Sequence, residues 1–175
     1  MDPTVCEIKA KAKDRFARIA GAPGSEKKFP AGPTSAKKLG YDPREIDSLP
    51  MSVTESFSGV GNPLGRCGLR TGEKVLKLDG GSGMDSLLAP RRNAELVGFE
   101  NFKFINAGIE ESPLPDEPVV VVISNGVLNL CPDTPRVVTE AFRVLRPDGR
   151  IQMANILLEE GVTPEEVAHE GSWSD

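Results

Sequence analysis

The sequence predicts an α/β fold in which helices flank a mainly parallel sheet, and three stretches carry that expectation. Residues 75–84 run from Val75-Leu76-Lys77-Leu78 into Asp79-Gly80-Gly81-Ser82-Gly83-Met84, the pattern of a strand, a tight turn and a helix start. Pro118 to Ile123 is a β-branched run ending in Ser124-Asn125-Gly126, as expected of a strand buried on both faces of a parallel sheet. Thr134-Pro135 opens an amphipathic helix that Arg146-Pro147-Asp148-Gly149 turns into a further strand, Ile151 to Leu157.

Taken in order, residues 3–20 place Val5, Ile8, Ala12, Phe16 and Ile19 on one helical face, with Asp2 or Thr4 as cap and Gly21 as stop. Residues 21–40 are rich in Gly, Pro, Ser and Lys and read as a mobile connection. The chain thus divides into an N-terminal helix with linker, 1–40, and a main domain, 41–175. Asp42-Pro43-Arg44-Glu45 supplies a cap acid, a proline at the first helical position and an early glutamate, so a short helix should turn Ile46 and Leu49 inward. Ser58 to Gly65 follows as a loop. At the glycine turn the backbone is free to adopt positive φ and a ligand can approach the main chain, although a purely structural turn explains the same glycines. Pro90 interrupts the stretch from Met84 to the next strand candidate, Phe102 to Asn106. That interval holds one crossover helix, kinked or broken at Pro90, but not a helix, a strand and a second helix, so one βα unit is missing. In the helix from Thr134, Val137, Val138, Ala141, Phe142, Val144 and Leu145 are expected to share a face. Thr163-Pro164-Glu165-Glu166 is a second capping box before a last helix.

Composition excludes several classes. The chain has 175 residues, 38% of them hydrophobic, and a net charge of -5. That is enough for one real core, and an acidic body argues against a nucleic-acid partner. No apolar run approaches the ~18 residues of a membrane span and no signal-peptide core is present, so no membrane is expected and the default location is cytoplasmic. Cys6, Cys67 and Cys131 are widely spaced, which indicates neither a disulfide framework nor a metal site. His169, the one histidine, reads as a surface residue rather than a base; Tyr41 and Trp173 read as packing residues, and Arg91 and Arg92 as an exposed helix start.

The order of strand, glycine turn, helix, Ile-Ser-Asn-Gly strand, helix and Leu-Arg-Pro-Asp-Gly strand resembles the Rossmann-like fold of class I S-adenosylmethionine-dependent methyltransferases. Val119 to Leu130, Pro135 to Leu158 and Gly59-Val60-Gly61-Asn62-Pro63 are similar to the arsenite methyltransferases and their relatives, over a match from about Gly40 to Asp175. The resemblance implies S-adenosylmethionine as cofactor and a small-molecule methyl acceptor. It places the turn, Asp79, Gly80, Gly81, Gly83 and Met84, along the cofactor, with Ser124 and Asn125 at its methyl end; it identifies no catalytic base.

The chain also departs from that family. Lys77 stands where an acid usually ends the first strand, and Asp79 stands where a glycine is usual. Facing a cofactor with an ammonium and a sulfonium, the lysine removes an attraction and adds a repulsion, each about 1 to 4 kcal/mol. The acid that meets the ribose falls in the missing unit, Gly108 sits where an acid often meets the adenine, and Val120 replaces a usual aspartate. Glu110 and Glu111 are substitute acceptors for adenine or ribose, or else solvated loop charges. Arsenic(III) needs soft thiolates, yet Val60 and Gly126 occupy two of the matching positions, and neither Cys67 nor Cys131 does. Relatives continue beyond the position of Asp175 into a cysteine or selenocysteine and the final strands, so a UGA codon read as stop is one expectation. The alternative function is a non-catalytic remnant acting as a structural or partner-binding domain, self-associating through exposed sheet edges. A dinucleotide-dependent oxidoreductase is weaker because no acid ends a second strand. A phosphate-loop NTPase fails because Gly83 is followed by Met84-Asp85.

Overall fold

The computed structural model describes residues 5–22, 30–93, 103–157 and 160–162. Its elements run α1 (Val5–Gly21), α2 (Gly32–Lys38), α3 (Pro43–Asp47), α4 (Met51–Thr54), β1 (Val75–Lys77), α5 (Met84–Asn93), β2 (Val119–Asn125), α6 (Thr134–Val144) and β3 (Leu145–Ala154). Single 3-10 turns lie at Pro63–Gly65 and Leu128–Leu130.

The described strands form one parallel sheet in the order β1-β2-β3. β2 takes the centre because both of its faces are apolar. Val121 and Ile123 pack with Tyr41, Ile46, Phe57 and Leu88 on one side. Val122 packs with Val137, Ala141 and Val144 of α6 on the other. Two hydrophobic layers therefore meet only through this strand, and each fully buried aliphatic side chain contributes roughly 1.5 to 3 kcal/mol.

Several expectations hold and others need correction. Asp42 caps α3 by accepting a hydrogen bond from the Arg44 N–H, and Ile46 and Leu49 are buried as expected. The mobile connection does not extend through 32–38, which form α2. Pro33 fits the first turn, where no N–H is needed, and Ala36 is fully buried in the same core as β2. α5 runs through Pro90 to Asn93 rather than breaking there. Leu88 and Ala89, just before the proline, are anchored in the core and offset the lost backbone bond. Lys103 to Asn106 are not strand, and among the described residues β1 pairs only with β2. α6 is capped by Asp133, whose carboxylate accepts from the Arg136 N–H. Its buried face is Val137, Ala141 and Val144, whereas Phe142 is 63% exposed, because a residue one position beyond Ala141 rotates by about 100° away from that stripe. β3 starts at Leu145 and ends at Ala154, short of Leu157. The turn at Arg146–Gly149 survives inside it as a bulge: Val119 pairs with Leu145, yet Val121 pairs with Arg150. Asp148 in that bulge has φ of 67°. The expected last helix with His169 and Trp173 lies outside the described residues, as do Asp2, Thr4, Phe102 and the side chains of Val5, Cys6, Ile8, Arg91 and Arg92.

The approach to β1 is fastened to β3 by one arginine. Arg150 donates to both Glu73 carboxylate oxygens, at 2.7 and 2.6 Å, and to the carbonyls of Cys67 and Gly68. The Arg150 hydrogen bonds hold the Glu73 carboxyl down to about 2 from its ordinary 4.5, against a smaller opposing effect of burial. A carboxyl with a depressed folded-state value stabilises above its unfolded value and loses that contribution as pH falls. Glu73→Gln should therefore cost about 1 to 2 kcal/mol at pH 7. Thermal midpoints of the two proteins should converge as pH drops from 4.5 towards 2; a gap that stays constant over that range contradicts the assignment.

Candidate cofactor and acceptor site

The glycine turn takes the shape its residues dictate. Asp79 adopts φ of 59°, and its carboxylate accepts the Gly81 N–H at 3.1 Å, which compensates the usual cost of a left-handed non-glycine residue. Gly81 and Gly83 have φ of 49° and 84°, and a Cβ built on either meets no heavy atom within 4 Å. The space above the turn is open. Lys77 does not project its ammonium freely into that space, because Nζ donates to the Asp79 carbonyl oxygen. The lysine and the aspartate thus form one local unit.

Across from the turn, the end of β2 is organised by Asn125. Its Oδ1 accepts the N–H groups of Val60 and Gly61 at 3.0 and 3.2 Å. Its Nδ2 lies 3.0 Å from the Gly61 carbonyl, 3.1 Å from Asp85 Oδ2 and 3.2 Å from the Tyr41 hydroxyl. Tyr41 in turn donates to Asp85 Oδ1 at 2.6 Å. Tyr41 and Asp85 are 2% and 3% exposed, so these bonds run in a low-dielectric setting. A Cβ on Gly59 would stand 2.4 Å from Asn125 Nδ2 and 2.7 Å from the Phe57 ring, so only glycine lets the loop lie this close.

Two concavities meet at the turn. The smaller, about 40 Å³, is walled by Asp79, Asp85, Asn125, Gly126, Phe16 and Phe57 among others. The larger, about 1150 Å³, follows the outer side of β1 between α1, the 103–114 segment and the start of α6. Phe16, Lys77, Asp79 and Gly80 line both. Ion pairs hold the larger one's walls: Lys9 of α1 meets Glu110 at 2.6 Å, and Arg143 of α6 binds Glu140, Asp116 and the carbonyls of Ser112 and Leu114. Burial acts to raise the Glu110 carboxyl, but the hydrogen bond from Lys9 and the charges of Lys9 and Arg136 outweigh it and the net shift is downward.

The sequence of the second half decides the family. A methyltransferase-domain model matches residues 84–173. The chain belongs to the methyltransferase-domain family. This methyltransferase domain is 32% identical to an arsenite methyltransferase of Halobacterium salinarum over 71% of the chain and 37% of that relative. It is 37% identical to one of Aquipseudomonas alcaligenes over 37% of the chain and 19% of that relative. It also superposes on an arsenic(III) S-adenosylmethionine methyltransferase from Chlamydomonas reinhardtii with a TM-score of 0.52 at 30% identity, covering 72% of this chain and 49% of that one. The domain thus spans less than half the length of these relatives.

The expected site residues fall into three groups. Asp79, Gly80, Gly81, Gly83 and Met84 lie together at the turn; of these, Met84 is 1% exposed and contributes to the core as well as to the recess. Asn125 reaches the recess, with both ends of its amide engaged by the network. Ser124 does not reach it: alternation along β2 turns its side chain away, it is fully buried, and Oγ has no hydrogen-bond partner. Val60 and Gly126, where the resemblance places thiolates, are neighbours, since a Cβ on Gly126 would lie 3.3 Å from Val60 Cγ1. The described thiols are elsewhere. Cys67 is buried and directs Sγ at the Leu64 carbonyl. Burial, aided by the Glu110 and Asp79 charges, pushes the Cys131 thiol up to about 11. Asp85 and Phe57 carry no expectation from the sequence, and Tyr41 and Phe16 were expected only to pack; Asp85 follows the glycine turn directly, and that adjacency was the one available signal.

Gly59→Ala should destabilise the domain by about 1 to 3 kcal/mol through the clash with Asn125 and Phe57. In a double-mutant cycle by thermal or urea unfolding, Gly59→Ala and Asn125→Ala should be strongly non-additive. Simple additivity argues against a shared contact.

Proposed function

We propose that this methyltransferase domain binds S-adenosylmethionine across the Asp79–Met84 turn and passes its methyl group to a small acceptor. The observation that carries this reading is the meeting of the two concavities over open glycine backbone. The larger has room for a nucleoside along β1, and the recess beside Asn125 and Gly126, at about 40 Å³, has room for the sulfonium end alone. Asp79, Gly80, Gly81 and Met84 form the floor, with Gly83 closing the turn and Asn125 fixing the loop that faces them; Ser124 supports β2 from behind. Charge in the recess favours the same occupant, since Asp79 and Asp85 outnumber Lys77, whose ammonium is engaged by the Asp79 carbonyl.

When bound, S-adenosylmethionine supplies a methyl group on a sulfonium that is already a good leaving group, so positioning is the protein's main task. Residues 57–59 with Asn125 and Gly126 form the wall opposite the turn and restrict the direction from which an acceptor approaches, and Asn125 also holds the Val60–Gly61 backbone. Nothing on that wall is a thiolate. The acceptor this geometry favours is a small nucleophile that enters the site by itself, rather than arsenic(III) clasped at positions 60 and 126.

Calorimetric titration with S-adenosylmethionine tests the reading. Binding at about micromolar strength is expected. Lys77→Asp combined with Asp79→Gly should tighten it roughly tenfold, by exchanging a repulsion for an attraction. Silence from both proteins sinks the cofactor reading and favours the non-catalytic, partner-binding alternative.

A further inference from the structure

Asp85 is a buried carboxylate that none of the expected site residues accounts for. It is 3% exposed, it forms no ion pair among the described residues, and its oxygens are held by Tyr41 and Asn125. Burying a carboxylate without a cation is costly, and two hydrogen bonds from neutral donors offset only part of that cost. The position makes the cost intelligible. Asp85 lies in the wall of the recess, together with the rings of Phe16 and Phe57, and its carboxylate is tied to the carboxyl end of β2. A buried negative charge in a recess that two aromatic residues also line is an environment for a soft, weakly hydrated cation.

We propose that Asp85 is a specificity-determining residue that receives the positive sulfur of S-adenosylmethionine, doing from the first turn of α5 what an acid on β1 cannot do where Lys77 stands. This rests on the cofactor reading above and deepens it. The consequence is discrimination between substrate and product. Transfer breaks the methyl carbon–sulfur bond, the electron pair of that bond stays on sulfur, and the resulting S-adenosylhomocysteine has a neutral thioether. Both molecules carry the same adenosine and the same amino-acid ammonium, so they differ only in the methyl group and the charge it places on sulfur. A carboxylate next to it holds the charged form and releases the neutral one. Because that charge fades as the bond breaks, Asp85 favours retention of the methyl donor rather than the displacement itself.

The test is calorimetric titration of the full chain with S-adenosylmethionine and, separately, S-adenosylhomocysteine. Asp85→Asn should weaken S-adenosylmethionine roughly tenfold and S-adenosylhomocysteine less than about twofold. The new amide keeps one acceptor oxygen where the carboxylate offered two to Tyr41 and Asn125, so Asn125→Ala and the Asp85→Asn, Asn125→Ala pair are titrated as well. The preference for the charged ligand should fall only when position 85 changes. Equal weakening of both ligands, or of neither, overturns the assignment and leaves Asp85 as an anchor for Tyr41 and Asn125. If the unaltered chain binds S-adenosylhomocysteine but prefers it over S-adenosylmethionine, the Asp85 role fails while the cofactor reading stands. No binding of either ligand overturns the cofactor reading, and the Asp85 role with it.

Discussion

The site depends on a single amide. Asn125 ends the central strand, and its side chain joins the Val60–Gly61 backbone, Tyr41 and Asp85 at one point. Each of those groups comes from a different part of the chain: the loop after α4, the lead-in to α3 and the first turn of α5. Remove the amide and several buried polar groups lose partners together, which costs far more than one surface hydrogen bond. Because β2 is fixed on both faces by aliphatic packing, this hub is held at one place relative to the glycine turn.

The same hub gives the recess its electrostatic character. A carboxylate at the start of α5 is favoured by the helix N-terminus and by the Tyr41 and Asn125 donors, so it tolerates burial. Asp85 is 3% exposed in a recess that Phe16 and Phe57 also line, and burial of this kind strengthens its effect on any cation beside it. Lys77 and Asp79 act differently. The Lys77 ammonium is turned onto the Asp79 carbonyl and the Asp79 carboxylate onto the Gly81 N–H, so the turn retains its open backbone despite two substitutions that looked damaging in isolation. On the acceptor wall the neighbouring pair Val60 and Gly126 is apolar, so the chemistry there differs in kind from thiolate capture.

Much of the architecture was legible because it follows from local rules. The β-branched run of β2, the Asp42-Pro43 cap and the helix from Thr134 are each determined by residues within a few positions. Errors arose where packing overrode composition. Residues 32–38 look like linker but become α2 because Ala36 finds a place in the core; Phe142 looks like a core residue but is left in solvent by helical rotation; α5 continues past Pro90 because Leu88 and Ala89 are anchored. Ser124 and Asn125, adjacent in sequence and expected to act together, are separated by strand alternation, one buried behind the sheet and the other at the recess. Tyr41 packs in the core as expected, but its bond to Asp85 was not foreseen, because the two residues lie 44 positions apart along the chain.

The sequence by itself determined the α/β class, the parallel sheet centred on β2, the glycine turn and the resemblance to methyltransferases, because periodicity, capping and turn chemistry are short-range properties. Only the tertiary structure decided that Lys77 folds back on Asp79, that the two expected thiolate positions lie side by side without a thiol, and that a buried carboxylate faces the recess. Apart from the Lys77–Asp79 contact, which spans two positions, those are relations between residues tens of positions apart. Their energies depend on burial and distance, which no local pattern encodes.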